Sequence, residues 1–480
     1  MNPGDWAVLS PLLVLSTTAV VVMLAAAFCR NHGAIAALTL AGLATACASL
    51  ALAWPLAPRQ VTPLLLLDRY ALFYIGLILA AALAVAMFAY DYLRRREAER
   101  REEYYILLVL ATAGAAVLVS SVHFASFFLG LELLSVSLYA LVAYPRADPL
   151  SLEAGVKYLI LAGASSAFLL FGMGLVYADL GTLSFGAIAA AGGGGLLSFA
   201  GFGLILVGIG FKLSLAPFHL WAPDVYQGAP APTTAFVATV SKGAVFALLL
   251  RYCLLLHLPH HPALVAILSL LAIVSMFVGN WLALLQPNVK RLLAYSSIAH
   301  MGYLLVALLA SGPWAPVAVT FYLTAYFITM LGALGIVSVL STPARDADAL
   351  EDYVGLAWRH PWKAGVLTIT LLSLAGIPFT AGFIGKFYVL AAGVGSSLWL
   401  LVLVLVANSA IGLYYYLRII VTLYRSPDDV AAPPPGADDN PLLSALALSA
   451  LALALLWLGV YPAPALRLIQ ALFIGVASGG

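Results

Sequence analysis

Six lysines stand in this 480-residue chain, and their placement is the first sign of chemistry. Lys212, Lys242 and Lys386 lie well inside long apolar runs, Lys157 lies about one helical turn inside another, and Lys290 and Lys363 are predicted in loops or at their edges. Nearly every arginine falls in a loop or near the end of an apolar run, where its long stem lets the guanidinium reach water. Of the twenty acidic residues one is deep, Glu132, near the middle of the run 123–144. A charge at the centre of a bilayer costs about 2.5–3.5 kcal/mol on the mildest scale, so four or five cost on the order of 10 kcal/mol unless paired or hydrated. Packing alone gives no reason to accept that. The choice of lysine adds information, because an ammonium taken out of water gives up its proton more readily, whereas a guanidinium effectively never does. Three mid-membrane lysines and one carboxylate are therefore a proton-handling set; the alternative is structural ion pairing between helices.

Glu132 lies in Phe127-Phe128-Leu129-Gly130-Leu131-Glu132-Leu133-Leu134, with no charge near it in sequence. Its partner must come from another helix, and Lys212 is the first candidate. A carboxylate beside an ammonium titrates as a coupled pair, so separating the two changes the proton affinity of both and provides a switch. His300 sits mid-span, with Ser296 and Ser297 four and three residues before it and Tyr303 three after, all on one helix face. Two readings fit: a polar stripe that passes protons between Lys242 and Lys386, or a hydrogen-bonded core histidine. His219, just past Pro217, either feeds a half-channel or caps backbone freed by the proline. His257, His260 and His261 read as a solvated outward loop.

Other chemistry is excluded by what is missing. There is no GxxxxGK[ST] phosphate loop, no strand followed by GxGxxG and no HExxH. Cys29, Cys47 and Cys253 stand singly, without metal-ligand spacing. The chain is therefore expected to hold no NADH, flavin, ATP, iron–sulfur cluster or zinc itself. The net charge of +2 gives no basic face for nucleic acid.

The elements that must position these residues are membrane helices. The chain is 64% hydrophobic and 9% charged, where soluble domains carry roughly 25% charged residues. Spans are predicted near 6–28, 34–56, 71–92, 104–121, 123–144, 153–178, 196–217, 232–256, 263–285, 291–311, 314–340, 364–392, 397–424 and 442–460, with an apolar tail at 464–477 too short to cross. Each is long enough for a hydrocarbon core about 30 Å thick. The polar stretches 341–363 and 425–441 (with Pro433-Pro434-Pro435) and the Gly-rich 179–195 read as surface loops. Met1-Asn2-Pro3-Gly4-Asp5 puts no positive segment before the first run, so that span is predicted to be retained.

Orientation follows from the cationic loops. Arg30, Arg94, Arg95, Arg96, Arg100, Arg101, Arg146, Lys290, Arg291, Arg345, Arg359, Lys363 and Arg425 lie on one side, and Arg59, Arg69, Arg251 and Arg467 on the other. The first side should be cytoplasmic, which puts both termini outside. Leu213-Ser214-Leu215-Ala216-Pro217-Phe218, closing the seventh span, is echoed by Leu372-Ser373-Leu374-Ala375-Gly376-Ile377-Pro378-Phe379 inside the twelfth. An odd number of spans separates them, the mark of inverted repeats with broken helices at the transport site. The expected division is 1–103 as an N-terminal three-helix segment, 104–256 and 263–424 as repeats, and 425–480 as a C-terminal helix and tail.

These motifs are specific. Phe211-Lys212-Leu213-Ser214-Leu215-Ala216-Pro217-Phe218-His219-Leu220-Trp221-Ala222-Pro223-Asp224-Val225-Tyr226-Gln227-Gly228-Ala229-Pro230, then Ser241-Lys242, closely resembles the subunit N family of bacterial respiratory complex I, an NADH-quinone oxidoreductase. Arg291-Leu292-Leu293-Ala294-Tyr295-Ser296-Ser297-Ile298-Ala299-His300-Met301-Gly302-Tyr303 and Gly376-Ile377-Pro378-Phe379-Thr380-Ala381-Gly382-Phe383-Ile384-Gly385-Lys386 are similar to the same family. The resemblance covers residues 60–425. It implies an all-α, polytopic membrane-arm subunit of 14 helices in the bacterial inner membrane, with two inverted five-helix repeats and broken helices 7 and 12. It also implies that Glu132 pairs with Lys212, that Lys242 and Lys386 are the central and distal lysines, and that Lys157 and His300 fill further polar positions. Flavin, iron–sulfur clusters and quinone would then belong to partner subunits, and protons would move through internal water. Lys212 precedes its break by five residues whereas Lys386 follows its break by eight, so the two are not evident repeat equivalents. The function expected is proton translocation driven by quinone reduction elsewhere. The alternatives are a subunit of a multi-chain cation/proton antiporter, a carrier of an organic solute, or a passive scaffold.

Overall fold

Hydrocarbon offers backbone amides no partner, so a chain of long apolar runs must close its hydrogen bonds within helices. The computed structural model describes residues 2–96, 101–192, 194–258, 261–426 and 441–473. Arg100, His260 and Pro433–Pro435, named above, lie outside them, as does the tail beyond residue 473. In chain order the helices are α1 (Pro3–Phe28), α2 (His32–Ala53), α3 (Arg69–Arg95), α4 (Glu103–Val119), α5 (Phe124–Val142), α6 (Pro149–Leu180) and α7 (Phe185–Ala190). There follow α8 (Leu196–Leu213), α9 (Trp221–Gly228), α10 (Ala231–Phe236), α11 (Lys242–Leu255), α12 (Pro262–Leu284), α13 (Val289–Leu309) and α14 (Trp314–Leu340). The remainder are α15 (Leu356–Arg359), α16 (Pro361–Ala375), α17 (Ala381–Gly395), α18 (Trp399–Leu423), α19 (Leu442–Val460) and α20 (Ala463–Phe473).

Among the described residues, twelve helical segments are long and apolar enough to cross a membrane, Ala231–Leu255 counting as one of them. The predicted fourth span is the shorter α4, and the predicted twelfth is broken into α16 and α17. Every predicted span thus coincides with a helix, in an all-α polytopic membrane protein. A short hairpin departs from this: Arg59–Thr62 pairs antiparallel with Leu65–Leu67. Two stretches read as plain loops also carry short helices, α7 and α15. The C-terminal tail forms α20, which turns Leu466, Ile469, Leu472 and Phe473 inward.

The chain divides into two compact units. The first comprises Met1–Ala86, Glu99–Ser214 and Val240–His261, and the second Met87–Ala98, Leu215–Thr239 and Pro262–Gly480. Within the first, α6 and α8 cross where Gly172 meets Gly201: a Cβ on either glycine would lie 2.6 Å from the other's carbonyl oxygen. Close approach of this kind is how helices associate where no hydrophobic force favours one apolar neighbour over another. Arg251, assigned above to the surface set, is buried and donates to both carboxylate oxygens of Asp68 at 2.9 and 2.8 Å. It sits a full turn before the end of α11 and turns inward to Asp68 rather than out to water.

The second unit shows burial that position along the chain does not report. Lys290 and Lys363, placed in loops or at their edges, are both buried. Lys290 Nζ donates to the carbonyls of Gln227 and Ala229 at 2.9 and 2.6 Å and to Asp346 at 2.7 Å. Asp346 also accepts from Arg96 and from the Tyr92 hydroxyl, each at 2.7 Å. Asp91, one turn before the end of α3, is buried as well and accepts from Ser444 through both the backbone N–H and the hydroxyl, at 2.9 and 2.6 Å. Loop position along the chain is not depth in the bundle.

Burial alone would raise the Asp346 carboxyl, but Lys290 and Arg96 outweigh it and hold the group below the usual carboxylate range. A carboxylate lowered on folding stabilises the protein above its unfolded value and loses that contribution as pH falls through the folded one. Asp346→Asn, which strips the charge from a buried pair, is expected to cost about 3–5 kcal/mol. Thermal unfolding across acid pH checks both statements: the wild type should lose stability at acid pH by more than the variant.

Candidate functional site

In the first unit the site grows from the last turn of α8. Lys212 is buried there, and its Nζ donates to Ser135 Oγ of α5 at 2.6 Å. Ser135 lies one turn after Glu132 on the same helix. Glu132 does not ion-pair directly with Lys212, as had been expected; its Oε1 accepts from Ser166 Oγ of α6 at 2.6 Å instead. Two serines therefore stand between acid and base, each satisfying one of them. Glu132 remains within electrostatic reach of Lys212. The rings of Tyr139, Tyr158 and Phe211 surround the ammonium at 5.9, 5.6 and 5.9 Å, close enough for cation–π attraction. Tyr158 also shares a side-chain hydrogen bond with Ser241, the residue before Lys242. Lys242 is wholly buried and follows directly on a π-helical turn, Val237–Ser241. Such turns are frequent at functional sites because they leave a carbonyl free of its usual i→i+4 partner.

Lys157 does not join this group. Its ammonium lies 2.6 Å from Glu153, one turn earlier on α6, and the side chain is 43% exposed.

In the second unit the break in the twelfth span builds the site. α16 ends at Ala375, and Gly376 takes the left-handed conformation with φ +84°. Leu372 and Ser373 still accept from the Gly376 N–H at 3.0 Å, but the carbonyls of Leu374 and Ala375 pass the helix end and need other donors. Lys386, on α17, supplies the donors: its Nζ lies 2.9 Å from each of Leu374 O, Ala375 O and Ser409 Oγ. The negative end of the α16 dipole points at the same ammonium. The seventh span breaks differently, since α8 ends at Leu213 with Ser214 left-handed at φ +58°. The matching Leu-Ser-Leu-Ala words thus place their breaks at different residues, with Lys212 just before its break and Lys386 well after its own.

His300 is buried between two tyrosines, with Tyr322 OH 2.8 Å from Nδ1 and Tyr416 OH 3.1 Å from Nε2. Ser296 hydrogen-bonds Tyr416, and Ser297 bonds Tyr326 at 2.6 Å and Tyr226 at 3.3 Å. Tyr303 bonds Asn280 at 3.0 Å, and its ring lies 5.3 Å from Lys386 Nζ. The polar stripe predicted on this helix is real, and its partners are tyrosines that sequence reasoning passed over. His219 is buried and bonded to the Pro217 backbone, with Nδ1 unpartnered among the described residues.

Residues 121–412 match the NADH:quinone oxidoreductase/Mrp antiporter transmembrane family. The chain is similar to NADH-quinone oxidoreductase subunit N of Ectopseudomonas mendocina, 51% identical over 470 residues, 96% of this chain and 95% of that one. It is 53% identical to the NADH-quinone oxidoreductase subunit N of Nitrosospira multiformis, over 97% of this chain and 96% of that one. Among solved structures, a chain of respiratory complex I from Thermus thermophilus with bound aureothin superposes with a TM-score of 0.82 at 34% identity, covering 95% of this chain and 98% of that one.

A Cβ at Gly376 would lie 2.8 Å from Lys386 Cδ and would also sit on left-handed backbone. Gly376→Ala is expected to lose about 1–2 kcal/mol from the backbone alone. Gly365→Ala, on the same helix with nothing within 4 Å, should instead gain about 1 kcal/mol. Thermal unfolding of the two variants checks this; a gain in both would remove the need for glycine at the break.

Proposed function

The chain belongs to the NADH-quinone oxidoreductase subunit N family, and on that premise we propose that Glu132, Lys212, Lys242, His300 and Lys386 carry protons across the membrane. The energy comes from NADH oxidation and quinone reduction, which we assign to partner subunits of the same membrane complex. Lys212 takes up protons under the control of Glu132 and passes them to Lys242, and release runs by way of His300 and Lys386. Water fills the gaps between these polar side chains. Lys157, paired with Glu153 on the face of α6, is given no step in this path.

One observation supports this reading above the others. Where the protein needs a buried ion pair for structure it makes one directly, as Arg251–Asp68 and Lys290–Asp346 do at 2.8 and 2.7 Å. Lys212 and Lys386 are held by hydroxyls and carbonyls instead. The set around Lys386 suits both charge states. An ammonium donates three hydrogen bonds, to two carbonyls and the Ser409 oxygen; a neutral amine donates to the two carbonyls and accepts from the Ser409 hydroxyl. A carboxylate partner would instead favour the ammonium and oppose release.

The test is the number of protons moved per electron by the whole enzyme in sealed vesicles. Lys242→Ala and Glu132→Ala are each expected to lower that ratio, and an undiminished ratio in both at a normal quinone reductase rate would remove the mechanism. We further propose that both termini face outward, since thirteen of the seventeen cationic residues assigned to loops or span ends lie on the opposite side. A C-terminal tag should then be cleaved by protease added to right-side-out vesicles and survive in inverted ones; the reverse pattern would overturn the assignment.

A further inference from the structure

Both ring nitrogens of His300 are engaged by hydroxyls that come from two other helices, Tyr322 on α14 and Tyr416 on α18. Tyr416 is bonded in turn to Ser296, one turn before His300 on α13. All four side chains are buried. A histidine that merely braces a core needs an acceptor on one nitrogen and a donor on the other, and backbone carbonyls or amides would serve. Hydroxyls are different in kind, because each both donates and accepts. The series Ser296–Tyr416–His300–Tyr322 is thus continuous, and every member can receive a hydrogen ion on one side and give one up on the other.

We propose that Tyr416 and Tyr322 are proton-transferring residues on either side of His300. The proposal rests on the reading that His300 carries protons, and it names the groups that load and unload the ring. The balance closes with neutral phenols throughout. With Nδ1 protonated and Nε2 bare, Tyr416 gives its hydroxyl proton to Nε2 and takes another from Ser296, which is replenished from its far side. The imidazolium then gives the Nδ1 proton to the Tyr322 oxygen, and Tyr322 releases its own hydroxyl proton onward. One proton enters and one leaves. The ring is left with its proton on Nε2, and it is reset when it turns to bring Nε2–H toward Tyr322 and bare Nδ1 toward Tyr416, ready for the next proton.

The far end of the series is placed by a glycine. A Cβ on Gly385 would lie 2.5 Å from Tyr322 Cδ2, so Tyr322 packs on bare backbone at the residue before Lys386. Lys386 in turn lies within electrostatic reach of His300. Tyr322 therefore unloads the histidine beside the helix that carries the distal lysine. A bulkier residue at 385 would push this hydroxyl away.

The experiment compares protons moved per electron by the intact enzyme in vesicles for Tyr416→Phe, Tyr322→Phe and His300→Gln. Tyr353→Phe is the control, since that hydroxyl bonds Ala347 O in a loop outside the series. Phenylalanine keeps the ring and its packing and removes only the hydroxyl. Both variants are expected to fall to the ratio of His300→Gln, while Tyr353→Phe keeps that of the wild type. A lowered ratio in His300→Gln with full ratios in both tyrosine variants overturns this proposal and leaves the wider reading standing. A full ratio in His300→Gln overturns the wider reading and this proposal with it. Should a phenylalanine variant fail to assemble, a fluorinated tyrosine at 416 keeps the hydroxyl but makes it more acidic. The pH above which pumping declines should then move down; an unmoved profile counts against proton transfer by this group.

Discussion

A helix broken inside a membrane must find donors for the carbonyls it frees, because hydrocarbon supplies none. That constraint organises the second unit of this protein. α16 stops at Ala375, and the ammonium of Lys386 meets the carbonyls of Leu374 and Ala375. The break and the buried charge solve each other's problem: the carbonyls are satisfied, and the lysine sits at the negative end of a helix dipole without needing a carboxylate. Gly376 makes the junction feasible, with positive φ and no side chain to displace the lysine stem.

Two kinds of charge contact are thereby distinguished. Asp346 gathers Lys290, Arg96 and Tyr92, and Asp68 takes Arg251 through two hydrogen bonds. These groups meet an opposite charge directly, and they tie helices and loops together. Lys212 and Glu132 are close enough to influence one another yet are bonded to separate serines. An acid and a base set apart in this way can change partners or charge at less cost than a closed pair. Structure and function therefore use the same residue types with different immediate neighbours.

Much of this is legible along the chain, and the limits have physical causes. Lys212, Lys242 and Lys386 stand out because a charge in an apolar run contrasts with everything around it. The stripe Ser296, Ser297, His300 and Tyr303 shows itself by helical spacing, and Pro217 and Pro378 mark helices that must break. Ser135 and Ser166 do not announce themselves, since a serine in a membrane helix ordinarily bonds its own backbone. Tyr322 and Tyr416 are equally silent: a tyrosine among apolar residues reads as packing, and their partner stands 22 and 116 positions away. Lys290 and Asp91 show a further limit. Hydropathy along one helix reports depth in the membrane, but not whether neighbouring helices close over its ends.

The most direct test asks whether the relay lysines exchange charge states during turnover. Nitrogen-15 NMR of lysine-labelled intact enzyme in lipid, at rest and while reducing quinone, reads the Nζ of each lysine as ammonium or amine. The expected result is that Lys212 and Lys386 populate both forms during turnover, while the Lys290 resonance, locked to Asp346, stays constant. Ammonium signals at Lys212 and Lys386 that do not change between rest and turnover would contradict the account.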